Sequence, residues 1–245
     1  MPPAPPRSHL LGVPVDAVDL PEAAAWVLAA AREGAFRLVV TLNPEIVVGA
    51  SRDPALLRAL RAADLSVADG VGITVAARLR GTRLPGRVPG VELAFAALEA
   101  GGGGLSVFFL GGRPGVAERA AETAAARYGC TVAGTRHGYF RRPDEEADVA
   151  AEVAASGAQL LLAGLGPGQE RFLFERRGAL GPVVAIGVGG TLDVLAGTAR
   201  RMPAWSSRLG VEWLLRVGLD PSRWRRIPNL LRFTWMVAAG RELPG

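Results

Sequence analysis

Residues 37–70 read RLVVTLNPEIVVGASRDPALLRALRAADLSVADG. Two apolar runs, Arg37–Leu42 and Leu65–Val67, flank a helical stretch, Pro54–Ala62, that opens on Pro54 directly after Asp53. Aspartate and proline are favoured where a helix begins. The same alternation continues downstream. Apolar runs recur at Leu105–Leu110, Leu160–Leu165 and Val183–Val188. Helical stretches separate them or lead into them at Pro21–Arg32, Val91–Ala100, Gly115–Tyr128, Asp144–Ala155 and Gln169–Arg177. Short apolar runs spaced by helices predict an α/β fold, with a mostly parallel sheet and helices on both faces. The four glycines Gly101–Gly104 form a joint just before a strand.

The 245 residues, 49% hydrophobic and 21% charged, are enough for one such domain with an appendage. Their charge is lopsided. Residues 1–199 carry 19 arginines against 20 carboxylates, and residues 200–245 carry nine arginines against Glu212, Asp220 and Glu242. The second segment also holds Trp205, Trp213, Trp224 and Trp235, four of the five tryptophans. We therefore expect a main domain over 1–199 and a helical, Arg/Trp-rich appendage over 200–245. Indole favours the headgroup layer and guanidinium favours anionic lipid, so an anionic membrane surface is the expected partner of that appendage. The competing reading is a basic helical pair with its arginines in water. Nucleic acid is not expected, because the first 199 residues are not basic.

Several chemistries are excluded early. Every basic residue is arginine, so a lysine Schiff base and a P-loop lysine are absent. Cys130 stands alone, and His9 and His137 are far apart, so no Cys/His set has zinc spacing. Cys130 reads as a core residue and His137, in HGYF, as a structural one. The opening MPPAPPRSHL lacks the apolar run of a signal peptide, and the longest uncharged stretch, Val153–Gln169, is interrupted by glycine and proline. These features predict a cytoplasmic chain peripheral to a membrane.

The loops after the apolar runs carry the chemistry. They read TLNPE (41–45), ADGVG (68–72), GGRPG (111–115), GLGPGQE (164–170) and GVGGTLD (187–193). In open parallel sheets, ligands sit beyond the carboxyl ends of the strands. Glycine lets backbone amides approach a phosphate, and the following helix N-terminus favours negative charge. As a set, these loops suggest a nucleotide or diphosphate ligand, against ordinary turn chemistry for each alone. A dinucleotide fingerprint GxGxxG is not met: Gln169 follows Gly164 and Gly166, and Leu192 follows Gly187 and Gly189, where a third glycine is required. An NAD(P)-dependent oxidoreductase and a non-catalytic nucleotide-sugar or polyanion-binding protein stay as alternatives to a transferase.

Seven segments occur in order over about Leu10 to Arg226. They are TLNPEIVVGASRDPALLRALRAADLSVADGVGITVAARLRG (41–81), RVPGVEL (87–93), VFFLGGRPG (107–115), HGYF (137–140), GLGPGQE (164–170), GVGGTLDVLAG (187–197) and RMPAWSSRLGVEWLLRVGLDPSRWRR (201–226). Together they resemble the WecG/TagA/CpsF glycosyltransferase family. The resemblance implies a Rossmann-like domain with a C-terminal appendage that reaches the membrane. It also implies inverting, metal-independent transfer of an N-acetylmannosamine-type sugar from a UDP donor to a sugar on polyprenyl diphosphate, in cell-envelope polysaccharide or teichoic acid synthesis. No cofactor and no metal ligand are implied. A monomer and a homo-oligomer are both compatible with it.

The resemblance also distributes roles. Asp69, after the second run and before Gly70, would be the catalytic base, where the alternative is a helix cap. Thr41 would act beside it. Asn43, Gly111, Gly166, Gln169, Gly189 and Asp193 would bind the donor, with turn and capping roles as the alternatives. Arg87, Arg216, Arg223 and Arg226 would hold the acceptor or the diphosphate, since a guanidinium fork suits phosphate oxygens. The sequence departs from the family at Ala68, Gly168, Met202 and Asp220. Gly168 stands where lysine is common, which moves the donor-phosphate charge to backbone amides or to the tail arginines.

Overall fold

The computed structural model describes residues 4–140, 142–199 and 227–243. A hairpin of β1 (Arg7–Leu10) and β2 (Val13–Asp16) opens the chain, followed by α1 (Leu20–Glu33). Then come β3 (Arg37–Leu42), α2 (Pro44–Ala50), α3 (Pro54–Arg61), β4 (Leu65–Ala68), α4 (Val71–Leu79) and α5 (Gly90–Gly101). The second half holds β5 (Ser106–Gly111), α6 (Val116–Tyr128), β6 (Thr131–Arg136), α7 (Pro143–Ala155), β7 (Leu160–Gly164), α8 (Gln169–Glu175), β8 (Val184–Gly187) and α9 (Thr191–Leu195). The last described helix is α10 (Ile227–Ala238). Gly102–Gly104 make a single 3₁₀ turn.

The expected α/β fold is present. Six parallel strands lie in the order β4-β3-β8-β7-β5-β6. Helices start where their sequences provide caps. Asp19 and Glu22 form a reciprocal capping box at α1, Asn43 caps α2 through its side chain, and Asp53 caps α3. Strands buried on both faces alternate between two cores. Leu38, Val40 and Leu42 of β3 face one core and Val39 the other, while Phe108 and Leu110 of β5 oppose Val107 and Phe109. The first core takes α2, α3, α7, α8 and α10, and the second takes α1, α5, α6 and α9.

This sorting follows from one rule of hand. With β4 at the left edge, β3→β4, β6→β7 and β7→β8 move left, and their helices α2, α3, α7 and α8 lie on the first face. The connections β4→β5 and β5→β6 move right, and α5 and α6 lie on the second. A uniform crossover hand requires that correlation. Because every strand runs the same way, the loops after β3, β4, β5, β6, β7 and β8 converge on one sheet edge.

Two clasps lie outside the sheet. Arg7 grips Asp16 with a two-pronged guanidinium, Nε to Oδ1 at 2.7 Å and Nη2 to Oδ2 at 2.8 Å. It also donates to the carbonyls of Ala63 and Asp64, while Asp16 accepts from the Ser66 amide at 2.7 Å. Hairpin and β4 are thereby locked. At the other end, α10 packs on α2 through Phe233, Met236 and Val237 of the first core. Leu243 then donates its amide to Leu11, and Arg80 pairs with Glu242. Residues 227–243 thus share the core of the sheet domain. No helix among the described residues is long and apolar enough to cross a membrane.

Candidate active site

The β3–β8 ladder pairs Arg37 with Val184, Leu38 with Ala185 and Val39 with Ile186, and ends there. Beyond that point β3 stays with β4 to Leu42–Ala68, and β8 stays with β7 to Gly187–Ala163. The two central strands therefore part before they end. The helix after β3 (α2) lies on one face and the helix after β8 (α9) on the other. Adjacent strands whose following helices take opposite faces leave a crevice at their carboxyl ends, the usual ligand position in such sheets. α2, α4, α6, α8 and α9 all begin at this edge and turn the positive ends of their dipoles toward it.

Thr41 spans the crevice. It is 4% exposed, and its hydroxyl donates to the Gly187 carbonyl at 2.9 Å. Gly90, at the start of α5, lies so close that a β-carbon there would stand 3.1 Å from Thr41 Cγ2. One strand further out, the Asp69 amide donates to the Leu42 carbonyl at 2.8 Å, which carries the β3–β4 ladder one step past β4. Asp69 is half-buried. Gly70, which has no side chain, holds the N-cap position of α4. Gly70 has φ +103° and ψ 153°, a conformation suited to glycine, so the turn that presents Asp69 depends on it. Val88 donates to the Ala68 carbonyl at 2.8 Å, which brings the half-buried Arg87 to the same edge as Asp69.

The donor-side candidates divide. Asn43 is the α2 cap, its Oδ1 accepting from the Ile46 amide at 3.0 Å, so the capping alternative describes that oxygen. Its amide nitrogen remains as a donor at the crevice. Gly111 ends β5, and Gly166 and Gly189 lie on the loops after β7 and β8. Asp193 sits within α9, where Thr198 donates to its Oδ1 at 3.3 Å. Gln169 opens α8 but is only 5% exposed, and its side chain is turned into the protein against Gly187. His137 Nδ1 accepts from the Tyr139 amide at 3.2 Å, a local structural role, and Cys130 is buried, with burial pushing its thiol up. Arg216, Arg223 and Arg226, with Trp205, Trp213 and Trp224, lie outside the described residues.

One residue of this edge escaped sequence reasoning. Glu170 is 1% exposed, accepts from Gln169 Nε2 at 2.9 Å, and has its carboxyl pushed above the ordinary carboxylate range by burial. The only signal was its position as the last letter of GLGPGQE. An open depression on the opposite edge, lined by Arg32, Gln159 and Pro182, lies at the amino ends of the strands, away from these loops. Among the described residues, no group of three His, Cys, Asp or Glu is placed to hold a metal.

Comparison with known proteins follows the same outline. A family model described as the glycosyl transferase WecG/TagA/CpsF family matches residues 8–243. An N-acetylglucosaminyldiphosphoundecaprenol N-acetyl-beta-D-mannosaminyltransferase of Bacillus spizizenii is 33% identical over 208 residues, covering 84% of this chain and 79% of the relative.

Proposed function

The chain belongs to the WecG/TagA/CpsF glycosyltransferase family, and on that premise we propose that it moves an N-acetylmannosamine-type sugar from UDP to a polyprenyl-diphosphate-linked sugar, with inversion and without a catalytic metal. The observation that carries this reading is the placement of Asp69, a half-buried carboxylate on a glycine turn just past the carboxyl end of β4, one strand from the crevice spanned by Thr41.

Inversion is a single in-line displacement. The acceptor hydroxyl oxygen bonds to the anomeric carbon as the bond to the UDP phosphate breaks, and Asp69 takes the hydroxyl proton. Charge then builds on the departing diphosphate. Backbone amides of the loops after β5, β7 and β8, the helix N-termini at this edge and Arg87 are positioned to meet it. Arg216, Arg223 and Arg226 supply further guanidinium groups from the tail. Thr41, whose proton is committed to Gly187, offers oxygen lone pairs to a donor group on the transferred sugar.

Docking on the inner face of an anionic membrane completes the proposal. Ile227, Leu231 and Trp235 form an exposed stripe at four-residue spacing on α10, and Val75 and Leu79 are exposed on α4 beside it. Arg232 is exposed on the same helix, and Arg241 stands 5.5 Å from the Trp235 ring centre. Apolar and aromatic side chains ringed by arginine fit the headgroup layer. The deciding assay follows UDP release by the purified protein with a panel of UDP-sugars and a short-chain polyprenyl-diphosphate sugar. Turnover with a UDP-N-acetylmannosamine-type donor supports the reading, and turnover confined to another donor class overturns it.

A further inference from the structure

The first two residues of α8 place a carboxamide and a carboxyl inside the protein. Gln169 and Glu170 are 5% and 1% exposed, and both meet Gly187. A β-carbon at 187 would stand 2.6 Å from Gln169 Nε2 and 2.9 Å from Glu170 Oε1, so these polar groups occupy the space a side chain would fill. The carbonyl of the same glycine accepts the Thr41 hydroxyl proton. One peptide thus separates the buried pair from the crevice.

Stability alone does not explain the pair. Burying a carboxyl and an amide is unfavourable unless each is fully satisfied, and apolar side chains fill such space at least as well. Here satisfaction is partial: Gln169 Nε2 donates to Glu170 Oε1 at 2.9 Å, and the buried Gln169 Oε1 has no partner among the described residues. What the arrangement does provide is restraint. Glycine has the freest backbone of any residue; the Val188 amide, donating to the Ala163 carbonyl at 2.8 Å, ties the 187 peptide to β7, and the packing of two polar heads on the Gly187 α-carbon adds a second restraint on its orientation.

We propose that Glu170 is a positioning residue for the transfer reaction: with Gln169 it holds the Gly187 peptide, and through that carbonyl it fixes the direction of the Thr41 hydroxyl at the mouth of the crevice. The inference rests on the reading above that Thr41 meets the substrates. Loosening the 187 peptide lets the hydroxyl rotate, so its lone pairs no longer hold one direction. The loss then falls on turnover more than on donor affinity, because orientation matters most in the transition state.

A double-mutant cycle on the full chain tests this, reading kcat and donor KM from UDP release and folding from thermal melting. Glu170→Leu, which removes the acceptor at similar size, lowers kcat about tenfold or more with donor KM changed less than about threefold. Glu170→Gln, which keeps an acceptor for Gln169, recovers most of that loss. In a Thr41→Val background the hydroxyl is already gone, and Glu170→Leu then costs less than about twofold, the non-additivity expected of two residues acting through one contact. Wild-type kcat in Glu170→Leu, or a Glu170→Leu loss that multiplies unchanged onto Thr41→Val, overturns the proposal. Full turnover in Thr41→Val alone overturns the reading of Thr41 and this inference together, and is told apart from the multiplicative result by that single variant. Should Glu170→Leu fail to fold, Glu170→Asp, which withdraws the carboxyl by one methylene, takes its place in the cycle under the same criteria.

Discussion

The Thr41 hydroxyl donates to the Gly187 carbonyl at 2.9 Å, at the level where β3 and β8 have stopped pairing. One side chain thus replaces the next rung of the ladder. Thr41→Val leaves that buried carbonyl without its donor, which costs about 1–3 kcal/mol. The variant is expected to melt lower by that amount and to transfer sugar more slowly, while Thr41→Ser, which keeps the hydroxyl, stays near wild type in stability. Equal melting of Thr41→Val and wild type would show the bond to be energetically idle.

Asp69→Asn removes the proposed base and keeps the shape of the turn at Gly70. Asparagine keeps the size of the side chain and its acceptor oxygen, so the melting temperature should hardly move, while kcat falls about 10²–10⁴-fold, the usual worth of a positioned base. Steady-state UDP release gives the answer. A variant within tenfold of wild type removes Asp69 from the mechanism.

Arg7→Ala strips the buried Asp16 carboxylate of its two-pronged partner and leaves it the Ser66 amide. Isolating a buried charge costs about 3–5 kcal/mol, and the lower end applies here because 35% of the Arg7 side chain is open to water. Urea unfolding should register a loss of roughly 3 kcal/mol, with turnover at 25 °C unchanged where the fold persists.

The Glu170 carboxyl is pushed upward by burial, so between its unfolded value, about 4.3, and the higher folded value the native state binds more protons than the unfolded chain. Stability therefore decreases as pH rises through that window and is highest below it. Glu170→Gln does not ionise and lacks this slope. Melting curves from pH 4 to pH 8 should show the variant gaining on wild type as pH increases. Parallel curves would show that Glu170 titrates normally.

Leu231→Glu combined with Trp235→Glu places two charges on the exposed stripe of α10. Each lost apolar contact with lipid is worth about 1.5–3 kcal/mol, so co-sedimentation with anionic vesicles should drop at least about tenfold. Transfer to a soluble short-chain acceptor should be unaffected. Undiminished vesicle binding would move the docking face elsewhere.

The central strands were legible because a strand buried on both faces must be largely apolar, as β3, β5, β7 and β8 are. β6 was not, since TVAGTR lies at the sheet edge and is half-exposed. The hairpin hid for another reason. Its turn puts Leu11 at φ 54° and Gly12 at φ 82°, and leucine is not a turn signal. α2, α4 and α9 are not among the helical stretches the sequence announces, because they begin inside the glycine and proline segments that mark the site. Thr41 and Asp69 could be placed at the carboxyl edge from the strand–helix alternation alone. The burial of Glu170 could not, since it depends on β8 reaching Gly187 beside α8, a contact no local pattern encodes.

β8, the last strand among the described residues, lies third in the sheet, between β3 and β7. A nascent polypeptide leaving the ribosome therefore carries two half-sheets, one of β3 and β4 and one of β5, β6 and β7, each with an unsealed flank, until residues 184–187 arrive to join them. Exposed flanks of that kind invite association between chains. Synthesis arrested before Val184 should yield insoluble fragments in place of partly active ones, with glycosyl transfer emerging only once the keystone strand is set.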